Sequence, residues 1–174
     1  MRTLGPGSVS SILKTILDVV YVALWVGVAV VGLVSLIVLA YDFDPGAFGR
    51  VEAFKLDHGG SAPLVTVSLF AATLYMLGVQ IIVDRLRRIF STLTAGDPFH
   101  PANVRRLQGV GLMLAALELG RYPVMAVQLW LSPDHTASDK AVSLTAWFAV
   151  LVVFVLAEVF REGARLRREA ELTI

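Results

Sequence analysis

Cysteine is absent from the 174 residues. That excludes a disulfide scaffold and any Cys-ligated zinc or iron–sulfur site. Charge is scarce, with Asp, Glu, Lys and Arg at 17% of the chain, against about 25% in soluble globular domains. The formal net charge is only +1, so the molecule as a whole lacks the electrostatic footprint of direct nucleic-acid binding. Histidine is limited to His58, His100 and His135. H-E-x-x-H, G-x-S-x-G and Walker A patterns are missing. Gly109-Val110-Gly111 lacks the preceding strand and third glycine of a dinucleotide fold. These absences predict a non-enzymatic chain with no catalytic residues, no metal and no cofactor.

What is plentiful is apolar surface: 56% hydrophobic residues and a mean hydropathy of +0.73. Disorder is excluded, because it requires low hydrophobicity and high net charge. The apolar residues fall in four blocks. Val19 to Tyr41 is 23 residues without a charge, and Pro63 to Val83 is 21. Leu107 to Leu131 is 25, interrupted by Glu118 and Arg121, and Ala141 to Ala157 is 17. A helix rises ~1.5 Å per residue, so about 20 residues cross a ~30 Å hydrocarbon core. Val159 and Phe160 lengthen the fourth block if Glu158 snorkels or is paired. Four such blocks leave too little polar chain to cover them in water. The first block is too long for the ~7–15-residue core of a signal peptide and is read as an uncleaved span.

The fold class expected is all-α: one membrane domain over residues 1–174, an integral four-helix transmembrane bundle. The spans are placed at about 17–41, 63–85, 105–131 and 141–161. An outer loop covers 42–62, an inner turn 94–101, and a cytoplasmic tail 162–174. Orientation follows from Lys and Arg in the short flanks. Eleven of the fifteen lie in the N-terminal flank, the middle connection or the C-terminal tail, and three lie in the other two loops. The termini and the middle turn are therefore expected in the cytoplasm, with Tyr41 and Trp130 at the outer interface. His58 and His135 then fall outside and His100 inside, too far apart for a shared metal.

Apolar stripes at helical spacing continue past the membrane boundary: Ile82, Leu86, Ile89, Leu93; Val104, Leu107, Gly111, Leu114; and Val159, Gly163, Leu166, Ala170. They predict cytoplasmic helical extensions packed on one another. Gly96 is expected to end the second helix, and Pro101 to start the third. Phe99 is expected to plug between the extensions or to act as a docking knob. The tail's Leu172, Thr173 and Ile174 either fold back or present a short motif. Pairs Arg165/Glu169 and Arg167/Glu171 stand at helical spacing. In the outer loop, Asp44-Pro45-Gly46 and His58-Gly59-Gly60 are turn signals, and a short hairpin between them is one expectation.

Glu118 and Arg121 share a face near mid-membrane. A lone charge there costs roughly 2.5–3.5 kcal/mol, so they are expected to be paired or solvated. Two readings stand: a structural pair facing the bundle interior, or a proton or solute site in a small dimeric carrier. Gln80 and Gln128 are expected to bond between helices, and Asp18 and Glu158 to join Asp84, Arg85 and Arg88 in an ionic cluster. Ala23/Gly27 and Ala116/Gly120 have the spacing of close helix packing. Arg85, Arg87, Arg88, Arg105 and Arg106 form a basic cluster beside the inner leaflet, read either as lipid sensing or as ordinary positive-inside topology.

Several stretches together resemble a bacterial membrane family, the domain of unknown function 2975. They are Leu86-Arg87-Arg88-Ile89-Phe90, then Gly96-Asp97-Pro98-Phe99-His100-Pro101-Ala102-Asn103-Val104-Arg105-Arg106-Leu107, then Phe160-Arg161-Glu162-Gly163 and Glu171-Leu172-Thr173-Ile174. The resemblance runs over nearly the whole chain, the long outer loop excepted. Its most specific parts are the Asp97-Pro98-Phe99 turn with Asn103 and the Leu172-Thr173-Ile174 ending. It implies four helices in a bacterial inner membrane and no assigned chemistry. Members are often encoded beside a small helix-turn-helix transcription regulator. The resemblance thus implies a regulatory or scaffold partner of such a regulator. The apolar blocks make the lipid bilayer a partner, the carrier reading requires a second copy of the chain, and the low net charge speaks against direct contact with nucleic acid.

Overall fold

The computed structural model describes residues 9–43, 62–97, 99–131 and 143–172. They form four helices: α1 (Val9–Phe43), α2 (Ala62–Thr94), α3 (Pro101–Leu131) and α4 (Leu144–Leu172). All four are long and apolar enough to cross a membrane. The shortest has 29 residues, so each exceeds the ~20 residues that hydrocarbon requires. The outer-loop hairpin expected between Asp44 and Gly60 lies outside the described residues.

Packing is sequential: α1 on α2, α2 on α3, α3 on α4. Each pair is antiparallel. Ser35 meets Thr73 and Asp18 meets Arg87 across α1 and α2. Gln128 meets Ser68 and Asn103 meets Thr92 across α2 and α3. Tyr122 meets Trp147 and Gly111 meets Phe154 across α3 and α4. The start of α1, the α2–α3 turn and the end of α4 therefore share one end of the bundle, here called the basic end.

Along α1 the residues turned toward α2 are Leu17, Tyr21, Leu24, Val28, Val31, Ser35 and Val38. Their steps alternate 4 and 3, the seam of a left-handed supercoil. Val19, Val22, Val26, Val30, Leu33 and Leu36 on the other faces are exposed. An apolar outer surface is costly in water and neutral in lipid, where burying such side chains gains nothing from the hydrophobic effect. The apolar core accordingly gathers toward the basic end: Ile89, Leu107 and Ala157 are buried together, with Leu86, Leu93 and Phe160 packed around them.

The α2–α3 turn is set by local chemistry. Gly96 has a φ of +83°. Its N–H bonds the Leu93 carbonyl, and the Asp97 N–H bonds the Thr92 carbonyl, the two bonds of a Schellman ending. Across the turn, Nδ1 of His100 accepts the Ala102 N–H at 3.1 Å, and Pro101 occupies the first helical position, where a missing N–H costs nothing. Nothing lies within 4 Å of a Cβ built on Gly96. Gly96→Ala is therefore expected to destabilise by about 1–2 kcal/mol through the left-handed backbone alone. Gly96→Asn should cost less, and thermal unfolding of the two variants checks the order. At the start of α4, Ser143 is the cap, its Oγ accepting the Ala146 N–H at 3.2 Å.

The stripes of α2 and α3 pack as their spacing predicts, with Ile82, Ile89, Leu107 and Gly111 buried. That of α4 does not. Val159 and Leu166 are more than half exposed, and Ala170 is exposed as well. The packed face instead runs through Val150, Ala157, Phe160, Gly163 and Ala164. Small residues decide it, because they let the helix backbones approach. A Cβ on Gly163 would fall 2.5 Å from the Phe99 ring. The same logic selects among the small-residue pairs. Gly27 receives Met76, Gly78 receives Leu117, and Gly111 receives Phe154, while Gly120 faces open space. Ala116/Gly120 is not a packing seam among the described residues.

Candidate functional site

The polar groups of the spans fall into three assemblies. Deepest is the pair on α3. Arg121 lies 3.2 Å from Glu118, with side-chain exposures of 38% and 11%. Tyr122, one turn beyond Glu118, reaches the same carboxylate oxygen at 3.5 Å and accepts the Trp147 indole N–H of α4 at 3.4 Å. The Arg121 guanidinium also stands 5.9 Å from the Tyr122 ring centroid. Acid, base, phenol and indole thus form a polar line across the α3–α4 contact. Tyr122 was legible at i+4 from Glu118. Trp147 was not, since it arrives on another helix.

The second assembly is at the basic end, where α1 meets α2. Arg87 binds Asp18 at 2.6 Å and lies 4.1 Å above the Tyr21 ring. Both side chains are partly exposed, so the ion pair itself contributes at most about 1 kcal/mol, and the stacking fixes its direction. One turn deeper, Nε2 of Gln80 donates to the Tyr21 carbonyl at 3.4 Å. Gln128, near the opposite end, donates to Ser68 at 3.1 Å. Each amide joins two helices.

The third assembly ties the inner turn. Asn103 is wholly buried. Its Nδ2 donates to Thr92 Oγ1 at 2.7 Å, and its Oδ1 accepts from Arg106 at 3.0 Å. Arg106 also donates to the Arg88 carbonyl at 2.9 Å. Asp97 pairs with Arg167 of α4, and the Phe99 ring packs on Phe160 with centroids 5.8 Å apart. The residues around the turn thereby hold all three extensions together. Pro98, Thr173 and Ile174 lie outside the described residues; Leu172 ends α4 and is exposed.

The basic cluster is not one patch. Arg85, Arg88 and Arg106 line a cleft with Tyr21 and Trp25. Arg87 is held by Asp18. Arg105 lies on the other side of α3 in a smaller cleft with Arg161 and Arg168. Glu158 does not join the ionic cluster either; it pairs with Arg161 of its own helix. Arg165 bonds Glu162 at 2.7 Å and Glu169 at 3.4 Å. These departures share a cause: a long guanidinium takes the nearest acceptor its helix face offers, and sequence spacing does not reveal neighbours on other helices.

Four long apolar helices, packed antiparallel in sequence, define a multi-pass membrane protein. The family model described as "Protein of unknown function (DUF2975)" matches residues 52–174, and the chain belongs to that family. The match covers α2, α3 and α4; α1 precedes it. Comparison with curated proteins and with solved structures gives no significant match.

Proposed function

We propose that this chain is a non-enzymatic protein of the bacterial inner membrane, with both termini and the α2–α3 turn in the cytoplasm, whose basic end docks a small helix-turn-helix transcription regulator. The observation that carries the reading is the packed basic end: Ile89, Leu107 and Ala157 are buried together, with Asp97–Arg167 and Phe99–Phe160 closing it. Helices serving only as anchors need no such core. The ten Lys and Arg among the described residues at that end support a cytoplasmic placement, and the family resemblance supplies the class of partner. Crosslinking in native membranes followed by purification should recover the regulator. Phe99→Ala, or removal of the last five residues, should change transcription of its targets. Recovery of no cytoplasmic protein together with unchanged transcription overturns the reading. A periplasm-dependent reporter fused to Ile174 should stay silent; a signal there inverts the orientation.

The polar line from Trp147 through Tyr122 to Glu118 favours one other reading, a proton or solute path completed by a second copy of the chain. Proton flux in liposomes that is lost with Glu118→Gln would support it, and absence of flux under any gradient would remove it.

A further inference from the structure

At the basic end, α1, α2 and α3 enclose a cleft of about 530 Å³ lined by Tyr21, Trp25, Gln80, Ile81, Asp84, Arg85, Arg88 and Arg106. Its size falls within the ~300–1,000 Å³ of small-ligand sites. Its lining divides by chemistry. Trp25 and Ile81 are apolar and exposed, on stretches of α1 and α2 free of charge. Three guanidinium groups sit at the other side, against one carboxylate. Asp84 is committed to Arg88 at 2.9 Å. Arg106 bonds two neutral oxygens, of Arg88 and Asn103, so its charge is not neutralised there. Arg85 has no ion-pair partner among the described residues and rests over Gly109, whose missing Cβ makes the seat. The cleft therefore carries about two uncompensated positive charges. Gln80 adds a buried carbonyl oxygen with no hydrogen-bond partner among the described residues.

The level of the cleft matters as much as its charge. Asp18 and Arg87 meet just before the uncharged run that opens at Val19, which puts the guanidinium groups at the edge of the hydrocarbon and Trp25 within it. An occupant must present an anion at the water boundary and an apolar body along Trp25 and Ile81. Guanidinium groups bind phosphate oxygens in a planar, charge-assisted fork. We infer that this cleft is a binding site for a phosphate-bearing anion, supplied by the headgroup of an acidic phospholipid of the adjoining leaflet. The inference is independent of the regulator reading: it names a lipid ligand and stands whether or not a protein docks below.

Trp25 is one of three tryptophans, so a Trp130→Phe/Trp147→Phe background makes it the sole fluorophore. Reconstituted in phosphatidylcholine with a few mole per cent of bromine-labelled phosphatidylglycerol, this protein should show Trp25 quenching equivalent to an enrichment of about 30-fold over the bulk fraction, the effect of two uncompensated charges at a membrane surface. Bromine-labelled phosphatidylcholine at the same fraction should quench without enrichment. Arg85→Gln together with Arg106→Gln should abolish the difference. Gly109→Ala keeps every charge and displaces the Arg85 guanidinium, and it should lower the enrichment several-fold. Arg161→Gln, on α4 and outside the cleft, should leave it intact. Equal quenching by the two lipids overturns the inference, as does an equal loss with Arg161→Gln, which marks diffuse surface attraction. If millimolar inorganic phosphate raises thermal stability in pure phosphatidylcholine while the labelled lipid shows no enrichment, the anion is free phosphate and the lipid assignment falls.

Discussion

Arg121→Leu is expected to lower the stability of the reconstituted protein by about 2–3 kcal/mol, near the price of one charge at the centre of a membrane helix. Glu118 would be left behind with a short side chain, 11% exposed, unable to reach the interface. Glu118→Leu should cost less. Arg121 is 38% exposed, and a long guanidinium side chain can snorkel toward water. The double replacement Glu118→Leu/Arg121→Leu should be milder than Arg121→Leu alone, because breaking an ion pair is worse than deleting it. Denaturant unfolding of the four proteins in one lipid closes the cycle. Additive effects would show that the two charges are not coupled, and would return Glu118 to consideration as a water-exposed functional acid.

The second large effect is expected at Asn103. Replacement by leucine removes a donor to Thr92 Oγ1 and an acceptor from Arg106 within a site of zero exposure. Thr92 keeps its bond to the Ile89 carbonyl and Arg106 its bond to the Arg88 carbonyl, so the cost is that of two lost bonds, about 0.5–1.5 kcal/mol for the neutral one and about 1.5–3 kcal/mol for the one to a charged group. A loss of about 2–4 kcal/mol follows, together with faster amide exchange from Thr92 to Arg106. Thr92 is the testable partner. Adding Thr92→Val should recover part of the loss, since replacing both members of a buried bond by apolar groups costs less than orphaning one. If Asn103→Leu unfolds like the parent, the turn is held by Gly96, Phe99 and the Asp97–Arg167 pair instead.

The two sites differ in how they could be read. Glu118 and Arg121 are one turn apart on a single helix, so their pairing is a local event that spacing reveals. Asn103 attracted notice through the family pattern of the turn. Nothing in the sequence connected it with Thr92, eleven residues earlier on a different helix. The same holds for Arg167. It pairs with Asp97 across the turn, on a segment seventy residues earlier.

Hydropathy and local backbone chemistry determined the four spans, the Gly96 ending, the Pro101 start and the Glu118–Arg121 face, because each depends on residues within a turn or two of one another. Which face of α4 packs was beyond that reach. In a lipid-facing helix the apolar residues encircle the axis, so hydrophobicity cannot say which side meets protein. Close backbone approach at Ala157, Gly163 and Ala164 decided it, and that is a property of two helices together. Only the tertiary structure divided the arginines among Asp18, the Trp25 cleft and the Arg105 cleft, since the reach of a guanidinium is set by whichever neighbouring helix the packing brings beside it.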